Sequence, residues 1–500
     1  MVFSVVSNYL FRYISPALDL CDKPDGHRKL SHGTIPRAGG LAIFISLSLA
    51  AVTLIVWSTT AQTKIWENPR GFFAFSGCCA AMALLGFLDD RYNLRGRDKF
   101  LGQLAIVGFL VLFGGYSVSK IGIFQQEIDL GPLEIPFAFF WFLGAINAAN
   151  LLDGMDGLLG SVAIVASVGL GGIAFQHGQT LSCYLAMMLA GSILGFLYFN
   201  RPPATIYLGD AGSMLIGLFL AAIALKMHDL SSGEPWIVAV PLAALLIPVI
   251  DTTAAILRRK LTGRSVYSTD HGHLHHCLQR EGYGRSGALV IVVFLSALAV
   301  FSSFLANHFK TDLFAWMGIL LVCLILVQAG WFGGPEIRLI AKKTGQILRL
   351  SKTALVHREH NDDGILLHGN KRWHHVWKRI LEFAAKEKYS IIQLDVNAPA
   401  HQQAYHAQWS RSLKARTGES DIYSMHRHPI RVGGRVVGRL SVVYPAVNDR
   451  DGKDFHHLAK LVELVEESAR EILDYPKEKS VSIERAMKVR DIGVDATRVG

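Results

Sequence analysis

Charge is scarce in this chain of 500 residues: Asp, Glu, Lys and Arg together make up 18%, against 51% apolar residues. That balance leaves two organisations, several soluble domains or one membrane domain with an appendage. Cysteine is scarce as well. Of the six, Cys21 and Cys277 fall in polar loops, Cys78, Cys79, Cys183 and Cys323 fall in apolar segments, and no CxxC pair occurs. A disulfide framework is excluded, and reduced packing cysteines are expected. No basic residue precedes the first apolar stretch, which carries Arg12 within it. A retained first helix is therefore expected rather than a cleaved signal peptide.

Apolar sequence is what the chain has in quantity. The stretches Gly39 to Trp57, Phe100 to Phe113, Ser213 to Ala224, Trp236 to Leu257, Ala288 to Leu305 and Leu313 to Trp331 are nearly free of charge. Most of them approach the roughly 20 residues that cross a bilayer. About eleven candidate spans begin near residues 3, 39, 71, 100, 135, 157, 181, 213, 236, 287 and 313, the shorter ones having to tilt or be lined by protein. An odd count puts the termini on opposite sides. Arg28, Lys29, Arg95, Lys99, Arg258 and Arg259 crowd the loops of one side, whereas the opposite loops hold Lys64, Arg70, Lys120, Lys226 and Lys310. By the positive-inside rule the first set is cytoplasmic, the N-terminus outside and the C-terminal region inside.

Five polar clusters interrupt the apolar part, and the span count places all of them on that cytoplasmic face: Asp22 to Leu30, Gly86 to Lys99, Asn147 to Gly157, Asn200 to Ser213 and Gly263 to His276. Ionisable groups are costly near hydrocarbon, so their gathering on one face points to a site. Asp89 and Asp90 either end a helix in the interface or act as base or metal ligand, and Arg91, Arg95, Arg97 and Lys99 follow them as a strip able to hold a phosphate. Asn147, Asn150, Asp153 and Asp156 offer two amides and two carboxylates, an oxygen set suited to Mg²⁺. Asp210, between Gly209 and Gly212, either caps the next helix or sits at an anion-binding helix N-terminus, with Tyr207 upstream as a stacking face for a base. His271, His273, His275 and His276 suit zinc ligation or hydrogen bonding to phosphates and sugars; Arg258 and Arg264 upstream favour anion recognition. Acids for Mg²⁺, cations for phosphate and an aromatic for a base converge on phosphoryl transfer from a nucleotide diphosphate at a membrane surface, where the acceptor can be lipid-borne.

LDDRYNLRGRDK, NAANLLDGMDGL, YLGDAGS and DHGHLHH resemble, in order and spacing, the signature loops of the polyprenyl-phosphate N-acetylhexosamine-1-phosphate transferases, over about residues 1 to 331. The resemblance implies transfer of a sugar 1-phosphate from a UDP-sugar to a lipid phosphate with release of UMP. The pattern His273, Leu274, His275, His276 is similar to the branch that uses UDP-GlcNAc, the phospho-N-acetylmuramoyl-pentapeptide transferases being the runner-up. By resemblance, Asp210 ligates the metal (Mg²⁺, or Mn²⁺) with Asn150 as companion. One of Asp89 and Asp90 deprotonates or positions the lipid phosphate, and Lys99 contacts phosphate. Asn200, Tyr207, Gly154 and Asp156 surround the uridine, with Tyr207 stacking, Asp156 at the uracil edge and Asp153 supporting the loop. Arg264, His273, His275 and His276 hold the sugar and diphosphate, His273 with a catalytic part. Arg28 and Lys29 join on the phosphate side. One departure is visible: Asp270 is followed by His271 where the family often has Arg or Lys.

The fold implied is an all-α polytopic membrane protein with a C-terminal cytoplasmic α/β domain. Its units are a transferase domain over 1–333, a basic linker over 334–352, a soluble domain over 353–475 and a disordered tail over 476–500. No apolar run of span length recurs beyond Pro335, and Arg338, Lys342, Lys343 and Arg349 suit a membrane surface. Ser390 to Val396 alternates as a strand, Ile430 to Val443 predicts a hairpin turning at Gly433 and Gly434, and Phe455 to Leu473 has helical spacing. Strand pair and closing helix resemble part of a GAF-type sensor domain. The partners expected are UDP-GlcNAc, a polyprenyl phosphate such as undecaprenyl phosphate and the inner (plasma) membrane, with a homodimer allowed and no nucleic acid. A transporter or flippase is the rival class, but it would place ionisable residues near span midpoints rather than at span ends.

Overall fold

The computed structural model describes residues 1–22, 35–227, 235–262, 272–341, 364–386, 389–398, 401, 403–410, 423–445 and 453–473. Arg28, Lys29, Arg264, Asp270, His271 and the segment 476–500 lie outside them. The chain divides into two compact units, residues 1–256 with 273–333, and residues 257–272 with 334–500.

The first unit is helical. In order it comprises α1 (Val2–Ile14), a two-residue strand pair β1 (Cys21–Asp22) and β2 (Ile35–Pro36), α2 (Gly39–Trp57), α3 (Thr59–Glu67), α4 (Pro69–Tyr92) and α5 (Gly96–Leu112). Strands β3 (Lys120–Ile123) and β4 (Gln126–Asp129) follow, then α6 (Glu134–Leu152), α7 (Leu158–Gln176), α8 (Thr180–Asn200) and α9 (Gly209–Lys226). The unit continues with β5 (Trp236–Ile237), α10 (Ala239–Ala244), α11 (Leu246–Leu261), α12 (Leu274–Arg280), α13 (Gly284–His308) and α14 (Leu313–Gln328). Seven of the described helices are long and apolar enough to cross a bilayer: α2, α4, the helix ending at Leu152, α7, α8, α9 and α13. The family of segments anticipated near residues 3, 100 and 313 is present as the shorter helices α1, α5 and α14.

The segment from Trp236 was expected to run as one span, and it is broken at Leu245. Pro248 explains the break. A proline three residues into α11 lacks only an amide that a first turn leaves unpaired, whereas inside a continuous helix its ring would meet the carbonyl of Ala244. The small sheet β4-β3-β5 was not anticipated. Its hairpin turns through Phe124 and Gln125, both at positive φ, and Asp312 accepts from the Phe124 N–H at 2.5 Å and from Trp316 Nε1 at 3.1 Å.

Helix α9 is the axis of the unit. Its apolar window is 83% buried, against 33 to 67% for the other span-length helices, and it packs against α2, α4, α6, α7 and α8. Two glycines permit the closest approaches. A Cβ on Gly40 of α2 would stand 2.0 Å from the Gly212 nitrogen, and one on Gly86 of α4 would stand 2.2 Å from Ala211 Cα. Backbone thus meets backbone at the first turn of α9, which holds Asp210.

The second unit contains helical residues 334–341 (α15), β6 (Ile365–His368), α16 (Arg372–Lys386), β7 (Ile391–Ala398), β8 (Gln403–Ser410), β9 (Tyr423–Val432), β10 (Arg435–Pro445) and α17 (Lys453–Ile472). The strands form one antiparallel sheet in the order β6-β8-β7-β10-β9. The β9–β10 turn at Gly433 and Gly434, both at positive φ, is the one the sequence marks. Alternate residues Ile392, Leu394 and Val396 of β7 join Trp373, Trp377 and Ile380 of α16 and Leu461 and Val465 of α17 in one core.

Gly86→Ala is expected to destabilise the protein by about 1–3 kcal/mol through overpacking against α9. Gly77→Ala, on the same helix with nothing near its missing Cβ, should be neutral or slightly stabilising. Thermal melting of the two purified variants checks this, and equal melting temperatures would refute the close-contact account.

Candidate active site

Around one cavity of about 490 Å³ the helices α4, α6 and α8 of the first unit end, and α9 and α13 begin. Its wall is drawn from four of the five polar clusters: Asp90 after α4's apolar stretch, Asn150, Asp153, Gly154 and Asp156 at the α6–α7 connection, Asn200, Tyr207 and Asp210 at the α8–α9 connection, and His276 on α12. Arg37, Gln279 and Arg285, which the sequence reading did not single out, line it as well.

The paired acids do different things. Asp90 accepts from the backbone N–H of Asp210 at 2.9 Å with one oxygen and from that of Ala211 at 3.0 Å with the other. Amides of a helix's first turn have no partner within the helix, so a carboxylate placed there both caps α9 and meets the positive end of its dipole. Asp89 is buried behind the wall. One of its oxygens accepts from the Leu94 N–H at 2.9 Å, closing the turn through Asn93 at φ 52°, and the other lies 2.7 Å from Lys99 Nζ. Lys99 Nζ also reaches Asp210 Oδ1 at 2.9 Å. The ammonium therefore bridges Asp89 of α4 and Asp210 of α9, and Asn150 Nδ2 donates to the same Asp210 oxygen and to Ser213 Oγ at 2.8 Å. Asn147, by contrast, donates to Gln103 Oε1 at 2.9 Å and to the Leu143 carbonyl at 2.8 Å.

The connections are braced by side chains. Asn200 uses both ends of its amide, accepting from the Gly157 N–H at 2.8 Å and donating to the Ile206 carbonyl at 2.9 Å. Asp156 accepts from the Ala204 N–H at 3.1 Å. Tyr207 N–H donates to the Pro36 carbonyl at 2.8 Å, and Gly39 N–H donates back to the Tyr207 carbonyl at 3.0 Å. This pairing of distant segments is what brings Arg37 to the wall.

Among the described residues, one histidine of the cluster reaches the cavity. His276 lines the wall, whereas His273 and His275 are buried behind it, 7% and 2% exposed. A Cβ on Gly154 would stand 2.7 Å from the His275 ring, so the ring fills space that only a glycine leaves. Arg258, expected to help with anions, belongs to the second unit and has its guanidinium paired with Glu336 there. Asp251, which the sequence reading passed over, holds His273 Nδ1 at 2.9 Å. A lone carboxylate inside an apolar stretch was the signal for it.

Burial, then the neighbouring carboxylates Asp210, Asp90 and Asp156, push the Asp153 carboxyl up to about 8. A carboxyl raised in the fold holds its proton where the unfolded chain, with a value near 3.9, has lost it. Its favourable contribution is complete below about 4 and disappears as pH climbs through about 8. In protein freed of metal with a chelator, Asp153→Asn should therefore gain melting temperature over the parent as pH rises from 5 to about 8, and the gap should level off above that. A gap independent of pH would refute the raised carboxyl.

The family described as glycosyl transferase family 4 matches residues 72–228, which span Asp89 to Asp210. A Bacillus subtilis (strain 168) protein named "Probable undecaprenyl-phosphate N-acetylglucosaminyl 1-phosphate transferase" is 26% identical over 319 residues, 64% of this chain and 85% of the relative. The Escherichia coli (strain K12) undecaprenyl-phosphate alpha-N-acetylglucosaminyl 1-phosphate transferase is 28% identical over 344 residues, 66% of this chain and 88% of the relative. The Mycolicibacterium smegmatis decaprenyl-phosphate N-acetylglucosaminephosphotransferase is 30% identical over 316 residues, 58% of this chain and 77% of the relative. With that coverage added to the loop motifs and to the cavity they form, the chain belongs to glycosyl transferase family 4.

Proposed function

We propose that this protein transfers N-acetylglucosamine 1-phosphate from UDP-GlcNAc to a polyprenyl phosphate, releasing UMP. The observation that carries the reading is the single cavity at the end of an apolar helix bundle, lined by residues of four loop motifs far apart in sequence. Relatives named for this activity support it.

The donor set fits Mg²⁺. Among the described wall residues Asp90, Asp156 and Asp210 stand beside the guanidiniums of Arg37 and Arg285, with Asp153 holding its proton at neutral pH, so a diphosphate gains from added positive charge. Among the described residues no group of three or more His, Cys, Asp or Glu side chains is arranged to hold a metal. A site with one or two protein carboxylates, completed by phosphate oxygens and water, is the habit of Mg²⁺. Asp210 and the Asn150 amide oxygen would hold it, and it would supply neutralisation of the diphosphate charge; Mn²⁺ suits the same oxygens.

The chain's own groups do the rest. Tyr207 presents its ring to the uracil with Asp156 at the base edge, Arg37 and Arg285 hold phosphate oxygens, and Lys99 keeps Asp210 in place through its bridge. The acceptor phosphate oxygen attacks the donor's β-phosphorus in line, the bond from that phosphorus to the bridging oxygen breaks, and UMP carries the electrons away. Asp90, the paired acid on the wall, positions the acceptor phosphate beside the first turn of α9.

The remaining topology belongs to the same proposal: about eleven spans with the cavity on the cytoplasmic side of the plasma membrane. The antiparallel sheet with two helices in its core suits a GAF-like sensor domain. Purified protein incubated with undecaprenyl phosphate, Mg²⁺ and UDP-GlcNAc is expected to release UMP and form a lipid-linked sugar, with no product from the UDP-muramoyl pentapeptide. Asp210→Ala and chelation by EDTA should each lower the rate by more than about 100-fold, and Mg²⁺ should restore only the chelated parent. No UMP from any UDP-sugar would refute the transferase, and full activity of Asp210→Ala would refute its metal role.

A further inference from the structure

Asp251 lies inside the apolar stretch from Trp236 and is 0% exposed. A carboxylate in such a place is costly unless its oxygens are hydrogen-bonded. Both are. Oδ1 accepts from the Leu274 N–H at 2.8 Å, and Oδ2 faces His273 Nδ1 at 2.9 Å.

The two contacts fix different things. The first anchors the opening turn of α12 to α11. The second sets the His273 ring: with Nδ1–H given to the carboxylate, tautomer and ring plane are determined, and Nε2 is the nitrogen turned away from Asp251. The His273 ring then stacks on His275, centroids 6.1 Å apart and planes 11° from parallel, and His275 lies 4.2 Å from His276 on the cavity wall. A row of three rings, the last pair tilted by 41°, thus leads from a buried carboxylate to the wall, and its middle ring occupies the space beside Gly154.

We propose that Asp251 is a positioning residue for the transfer reaction, acting through His273 to hold the histidine row against the cavity. The proposal rests on the transferase reading. Because Asp251 is not among the described residues that line the cavity, its effect is expected to pass through the ring it holds. That separates it from a residue needed only for folding.

The test is a double-mutant cycle on the full chain with Asp251→Asn, His273→Gln and the pair, reading kcat and KM for UMP release together with the melting temperature. Asp251→Asn should lower kcat roughly 10–100-fold, the scale of a lost partner behind a site histidine. KM for UDP-GlcNAc should change by less than about threefold, since ground-state binding is kept. In the His273→Gln background the same substitution should cost less than about twofold, because its partner is already gone. Should Asp251→Asn fail to fold, Asp251→Glu replaces it, moving the charge by one methylene with the same kinetic expectation. An unchanged kcat, or losses that multiply in the double variant, would overturn the role of Asp251. Parent protein that releases no UMP from any UDP-sugar would instead overturn the transferase reading itself.

Discussion

The carboxylate of Asp90 joined to two first-turn amides of α9, those of Asp210 and Ala211, is the contact on which the cavity depends. It ties the end of α4 to the start of α9 across 120 residues of chain, and it satisfies donors that the helix cannot satisfy itself. Once that junction is made, the Asp210 side chain is delivered beside Lys99 and Asn150, and Asp89 on the preceding residue is left to hold Lys99 from the other side. Gly40 and Gly86 make the junction sterically feasible. Any side chain at either would push backbone off backbone where α9 begins.

Charge balance inside the site follows from this geometry. Lys99 is engaged by two acids rather than offered to the cavity, so among the described residues the guanidiniums on the wall are those of Arg37 and Arg285. Among the described wall residues carboxyl groups outnumber guanidiniums, and burial, then the neighbouring carboxylates, keep the proton on Asp153 up to about 8.

Much of the site was legible in the sequence because it is polar residue set in apolar surroundings, where each departure from hydrocarbon stands out. Asn150, Asp153, Asp156, Asn200, Tyr207, Asp210 and His276 are brought to one wall, as the loop strings imply. The β9–β10 hairpin and α17 were legible from turn glycines and periodicity. Arg37 was not, because its place is set by backbone pairing between residues 36–40 and 207–208, which no local pattern encodes. Asp251 was signalled by standing alone in an apolar stretch, but its histidine partner 22 residues on was not, and the division of labour between Asp89 and Asp90 depends on which way each carboxylate turns at the end of α4. The break at Leu245 is readable afterwards from Pro248, yet hydropathy alone runs straight through it.

Around the cavity, α4, α6 and α8 present their C-terminal ends while α7, α9 and α13 present their N-terminal ends. Partial negative and partial positive poles both face it, so the contributions of the helix ends oppose one another there. Discrimination among anionic ligands is thereby handed to formal side-chain charges on short loops. Such a scaffold can exchange one phosphorylated donor for another by loop substitution alone, without any helix changing direction.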